Sequence, residues 1–192
     1  MNNTNLSTCS TERATPWFLK NYLINDVIKK DMKGSVYIAN DFNKDWFSKN
    51  WVIIKQGKGT SPPDEYGRTV KDNLLWQMRL HQSFYKVLKL PKIIEFFKYK
   101  HNFYLIMQYI DGVTLTEKLA LLFENQTWNN ISTDNKNIVL HLLLQLTNQV
   151  GKMHEAGFVH RDINPDNFLV DKHNDLVMIY LELTYALGEV HP

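Results

Sequence analysis

Read for hydrophobic and polar positions alone, the chain begins strand-like and ends helical. Residues 22–28 and 36–39 predict two short strands joined by a turn through Asp31 and Gly34. Trp51-Val52-Ile53-Ile54-Lys55 is a continuous β-prone run, and residues 56–67, with three Gly and two Pro, follow as a loop. A helix is expected over 68–86, with Leu74, Met78 and Tyr85 on one side. Pro91 resets the chain before two further strands, 93–99 and 103–109, split by Lys100-His101-Asn102. Asp111-Gly112 marks a break, 115–123 a short helix and 124–135 a polar loop. The strongest periodic signal lies over 137–156, where Val139, Leu142, Leu143, Leu146, Val150 and Met153 keep the 3–4 spacing of a buried face, with Gly157 at the expected helix end. Short β-prone pieces at 168–170 and 176–179 close the pattern. Strand-rich first and helix-rich later, the order predicts an α+β chain of two parts meeting near Asp111.

Composition changes this picture little. The 192 residues are 44% apolar and 22% charged, as in a globular domain with a real core. A net charge of +2 is too small to argue for nucleic acid or an anionic membrane, no nucleic-acid partner is expected, and the basic cluster Lys29, Lys30 and Lys33 reads as a solvated turn. The longest apolar run, 138–146, is interrupted by His141 and too short to span a bilayer. Cys9 is the only cysteine, so no internal disulfide forms and a reducing, cytoplasmic setting is expected. The polar first residues, 1–20, are expected to be a disordered leader.

Candidate chemistry concentrates in Phe158-Val159-His160-Arg161-Asp162-Ile163-Asn164-Pro165-Asp166-Asn167-Phe168-Leu169-Val170, where an acid and an amide stand five residues apart on one loop entering a strand. Phosphoryl transfer asks a protein for a phosphate cradle, metal ligands, a cation and a group that orients the nucleophile. With His-Arg before the acid and Pro-Asp ahead of the amide, the segment resembles the catalytic loop of protein kinases. The resemblance runs over about 22–187. It implies a bilobal fold, with a β-rich N-lobe containing one helix (21–111) and an incomplete helical C-lobe (112–192) cut short just after the metal motif. It further implies ATP and Mg²⁺ as ligands, Asp162 and Lys55 as catalytic residues and Asn167 as a magnesium ligand. By the same likeness Gly34, Val36, Lys55, Gln108, Ile110 and Leu169 contact nucleotide, and a protein or peptide is the substrate or partner. Ile54-Lys55-Gln56-Gly57, Asp64-Glu65-Tyr66-Gly67-Arg68 and Asp72-Asn73-Leu74-Leu75-Trp76-Gln77 narrow the likeness to the kinase domain of class III lanthionine synthetases, which phosphorylate Ser and Thr of a precursor peptide.

Four departures bear on activity. Of the usual three glycines in the phosphate loop only Gly34 is present, with Lys29 and Asp31 at the other two places. Ile53 replaces a small residue beside the adenine, and Gln77 stands where a glutamate normally pairs with Lys55. Tyr180, in Ile179-Tyr180-Leu181-Glu182, falls where the metal-binding aspartate is expected and brings no carboxylate. The residues therefore support an impaired Ser/Thr kinase, a pseudokinase that binds protein or nucleotide without turnover, or a fragment without independent function. A small-molecule kinase of the aminoglycoside type shares the Asp-to-Asn spacing, but Arg161 and Pro165-Asp166-Asn167 fit the protein-kinase form better. The remaining histidines lack metal-site spacing and are expected to be structural or solvated.

Overall fold

A computed structural model describes residues 16–43 and 50–188. Its first layer is a six-stranded antiparallel sheet in the order β1-β2-β3-β4-β6-β5. The strands are β1 (Trp17–Leu19), β2 (Tyr22–Lys30), β3 (Gly34–Asp41), β4 (Trp51–Gly57), β5 (Ile93–Tyr99) and β6 (Asn102–Gln108). Alternation along β4 sends Val52 and Ile54 into a core with Tyr22, Ile24, Phe97, Tyr104 and Ile106, which leaves Ile53 and Lys55 on the opposite face. That face is covered by α1 (Val70–Phe84), whose Leu74 meets Leu105 and Met107. Residues 17–19, assigned by composition to the leader, pair with β2 instead; residues 1–15 lie outside the described part.

Helix α1 starts at a capping box. The Thr69 hydroxyl accepts the Asp72 N–H while the Asp72 carboxylate accepts the Thr69 N–H. Its buried stripe is Val70, Leu74, Gln77, Leu80, His81 and Phe84, so Gln77 is set among apolar neighbours at the helix centre. Tyr85, expected on this stripe, is the C-cap and half-exposed, because the helix ends one residue earlier.

The second layer holds β7 (Gly112–Thr114), α2 (Leu115–Phe123), α3 (Thr133–Glu155), β8 (Phe158–Val159), a single 3-10 turn (Pro165–Asn167), β9 (Phe168–Asp171), β10 (Leu176–Met178) and β11 (Tyr185–Ala186). The three-stranded sheet runs β10-β9-β7, and β11 pairs with β8. Leu115, Leu122, Val139, Leu142, Met153, Phe168, Val170, Leu176, Met178 and Leu181 build its core together with Leu80, Phe84 and Leu88 from the first layer, which joins the two halves. The crossing falls at Gly112, where a Cβ would approach the Val170 carbonyl oxygen to 2.6 Å, so β7 can lie against β9 only without a side chain.

Helix α3 begins four residues before the periodic signal, capped by Ser132, whose hydroxyl accepts the Asn135 N–H. Its inner face carries Val139, Leu142, Gln149 and Met153, whereas Leu143, expected inside, is exposed beside Leu140 and Leu144. Two glutamines tie the helix to β10: the Leu176 N–H donates to Gln145 Oε1 at 2.9 Å and Gln149 Nε2 donates to the Leu176 carbonyl at 2.9 Å. The Met178 N–H donates to the Lys89 carbonyl at 3.0 Å. Among the described residues no helix is long and apolar enough to cross a membrane.

Candidate active site

Between the two layers lies a cleft of about 380 Å³, within the size range of small-molecule sites. Ile28, Val36, Ile38 and Ile53 form its upper wall, Leu169 and Ile179 its lower wall, and the linking segment Met107 to Ile110 its back. The Gln108 N–H is held by the Lys92 carbonyl at 2.8 Å, which anchors this linking segment to the chain entering β5. Ile53 narrows the cavity on the side where the sequence places an adenine. Val36, Lys55, Gln108, Ile110 and Leu169 all line this one cavity, whereas Gly34 belongs to an adjoining polar cavity under the β2–β3 hairpin, shared by Val36 and Lys55.

The glycine at 34 has a local explanation. A Cβ there would collide with the Gln56 carbonyl oxygen, so the tight β3–β4 pairing by itself requires a glycine. At the hairpin tip the Lys33 and Gly34 N–H groups both donate to Asp31 Oδ1, at 2.8 Å each. Lys58 Nζ donates to the Asp31 carbonyl at 2.8 Å and fastens the tip from outside.

Lys55 projects from β4 to the inner end of the cleft and is 6% exposed. Its ammonium donates to Gln77 Oε1 at 3.2 Å and to Glu182 Oε1 at 2.9 Å. It also stands 3.8 Å from the centre of the Tyr180 ring, a cation–π contact. Burial pushes the Lys55 ammonium below its ordinary value, and Glu182 opposes the shift. The Lys55 charge holds the Glu182 carboxyl below its own ordinary value against the cost of burial. Glu182 thus supplies the charge that Gln77 lacks, and Gln77 Nε2 is buried with no partner among the described residues. Leu181 is fully buried in the lower core, and Tyr180 and Glu182 on either side of it both reach Lys55. The signal was present as the polar–apolar–polar triplet after Ile179, but the reach to a lysine 127 residues away is a tertiary fact. Trp76 Nε1 donates to the Thr184 carbonyl at 2.9 Å, tying α1 to the same segment.

On the opposite loop, Asn167 Nδ2 donates to the Asp162 carbonyl at 2.9 Å and to Asp162 Oδ2 at 2.8 Å, so the two residues are brought together as the spacing required. Arg161 adopts a left-handed φ of +66° immediately before Asp162. His160 is buried and stacked on Phe168, and its Nδ1 accepts the Asp162 N–H at 3.2 Å. Burial keeps this imidazole neutral by lowering its pKa, which suits an acceptor at Nδ1. The loop enters the cleft through Asp166 and Leu169.

A lysine, an acid–amide loop and an apolar cleft between two layers are the parts a phosphoryl-transfer domain needs, and the model of the protein kinase domain matches residues 49–183, well over half the chain. The chain belongs to the protein kinase family. It is 28% identical over 159 residues to a sporulation protein kinase of Schizosaccharomyces pombe, covering 81% of this chain and 26% of that protein. It is 27% identical over 146 residues to the mouse myotonin-protein kinase, covering 76% and 19%. To a probable serine/threonine-protein kinase of Dictyostelium discoideum it is 28% identical over 174 residues, covering 89% and 33%. The chain therefore spans a third or less of the length of these relatives.

Kinase domains in general use ATP with Mg²⁺. The residues here fit the metal poorly. Mg²⁺ demands several hard oxygen ligands with carboxylates among them, yet Tyr180 presents a ring and Glu182 is bound to Lys55, so that Asn167, whose Nδ2 donates to Asp162, offers only its amide oxygen. Among the described residues no three His, Cys, Asp or Glu groups converge on a metal position.

Proposed function

We propose that the domain binds an adenine nucleotide in the interlayer cleft and is organised to present its terminal phosphoryl group to a Ser or Thr hydroxyl of a protein or peptide, with slow turnover. The observation that carries this reading is the fixed Lys55, held by Gln77 and Glu182 at the inner end of an apolar cavity of nucleotide-compatible size. Asp162 is positioned by its own backbone contact with His160 and by Asn167. In the proposed reaction its carboxylate accepts the hydroxyl proton as the oxygen bonds to the γ-phosphorus, and the bond to ADP breaks. The resemblance to the kinase domain of class III lanthionine synthetases favours Ser and Thr of a precursor peptide as the substrate, inside the cell.

A pseudokinase reading is favoured by one observation, Tyr180 packed against the Lys55 ammonium where a metal-binding acid is expected. Thermal unfolding with ATP, alongside radiolabelled γ-phosphate transfer to a Ser/Thr peptide, separates the two. A ligand that binds only the native state raises its stability. A thermal shift with label transfer supports the kinase, a shift without transfer a nucleotide-binding pseudokinase, and no shift with any adenine nucleotide refutes the nucleotide reading.

A further inference from the structure

We infer that the polar cavity beneath the β2–β3 hairpin binds a nucleoside triphosphate without a divalent ion, its phosphates held between Lys29 and Lys55. The inference rests on the nucleotide reading above and specifies how the phosphates are met. In a phosphate cradle the backbone N–H groups of the loop point at the anion. Here the Lys33 and Gly34 N–H groups are occupied by the Asp31 carboxylate, an internal anion in the place of an external one. Lys58 and Ser61 hold this tip through the Asp31 and Met32 carbonyls. An incoming phosphate must therefore find side-chain cations.

Two are in place. A register shift between Val27 and Lys29 breaks the alternation of β2 against β3, setting Ile28 over the apolar cleft and Lys29 over the polar cavity beside it. The Lys29 ammonium has no hydrogen bond or ion pair among the described residues, while its charge reaches both Lys55 and Glu182. An ammonium has three donors. Lys55 gives one to Gln77 and one to Glu182, and a phosphate oxygen would take the third in competition with the Tyr180 ring. Tyr180 closes the same cavity with an aromatic face where a metal-binding acid is expected. Lys29 thus supplies the positive charge that a magnesium ion supplies at a metal-dependent site.

The test is titration of ATP, ADP and AMP into the full chain by calorimetry, in EDTA and in excess MgCl₂, with wild type, Lys29→Gln and Lys29→Arg. Lys29 is exposed, so unliganded melting temperatures should agree across the three proteins. ATP affinity is expected to match within threefold in EDTA and Mg²⁺. Lys29→Gln should weaken ATP by about tenfold or more and leave AMP unchanged, and Lys29→Arg should restore ATP. Binding of ATP only with Mg²⁺, or Lys29→Gln binding ATP as wild type does, overturns the inference while leaving the nucleotide reading intact. Failure of all three nucleotides to bind under both conditions overturns the nucleotide reading and this inference with it.

Discussion

Replacing Glu182 by Gln removes the only carboxylate among the described residues that is hydrogen-bonded to the buried Lys55 ammonium, while keeping the shape of the side chain. Removing one partner of a fully buried pair costs about 3–5 kcal/mol, because the other charge is left without compensation. The Lys55 side chain is 7% exposed but that of Glu182 is 41% exposed, so solvent already screens the pair. The Gln77 acceptor also remains at 3.2 Å. Discounted on both grounds, Glu182→Gln should destabilise the domain by about 1–2 kcal/mol at pH 7. For a chain of this size that is a fall of roughly 2–8 °C in Tm. A double-mutant cycle with Lys55→Met, read by urea unfolding, isolates the pair. The pH dependence follows from the depressed Glu182 carboxyl, whose contribution is full above its unfolded value of 4.5 and lost as pH falls through the folded value. The variant should therefore lose less stability than wild type on acidification below pH 4.5. Gln77→Glu, which puts a carboxylate at the same ammonium from the helix side, should recover most of the lost stability. A coupling energy below about 0.3 kcal/mol in the cycle, the scatter expected of independent sites, would refute Glu182 as the partner of Lys55.

Tyr180→Asp should make ATP binding stronger in Mg²⁺ than in EDTA, since it supplies the missing hard-oxygen ligand; an unchanged ratio would show that position 180 does not face the metal. His81 is buried with Nδ1–H donating to the Pro91 carbonyl at 2.9 Å, and burial lowers its pKa from 6.5 to about 4. Its neutral form is native, so its contribution is complete above pH 6.5 and is lost as pH falls toward 4, about 3 kcal/mol in full. An NMR titration placing His81 near 6.5 in the folded protein would contradict this. Gly34→Ala should destabilise by about 1–3 kcal/mol, because the methyl meets the Gln56 carbonyl rather than a movable side chain; chemical denaturation reads the difference, and a neutral result would mean the β3–β4 pairing is looser than the structure has it.

Where a residue's role is decided by its neighbours in the chain, the sequence was a good guide. The continuous β-prone run ending in Lys55 forms the strand it predicts, and the five-residue offset of Asp162 and Asn167 brings them into contact within one loop. Where a role is decided across the fold, it was not. Strands β1, β7, β8 and β11 have only two or three residues, too few for a period, and exist because a partner strand lies beside them. Helical spacing identifies a stripe but not its edges, so Tyr85 and Leu143 were placed inside when the stripe turns toward Gln77 and Gln149. A polar residue on an apolar stripe reads as a defect in one dimension. In three, Gln77 meets the Lys55 ammonium and Gln149 meets the backbone of β10. Asp31 was read as a lost glycine, although its carboxylate gathers the very N–H groups a glycine loop would leave open.

The outer strand of the three-stranded sheet has a bearing on how the protein behaves at high concentration. An unpaired strand edge is a template on which another chain can add itself, and from which fibrous assemblies grow. Along β10 the Leu176 N–H and carbonyl are taken by Gln145 and Gln149, and the Met178 N–H by Lys89. Two amide side chains of α3 thus act as a false fourth strand, satisfying the edge without extending it. Exchanging either glutamine for leucine would suit the helix and improve its apolar face, yet it would open a seam through which these molecules could stitch together.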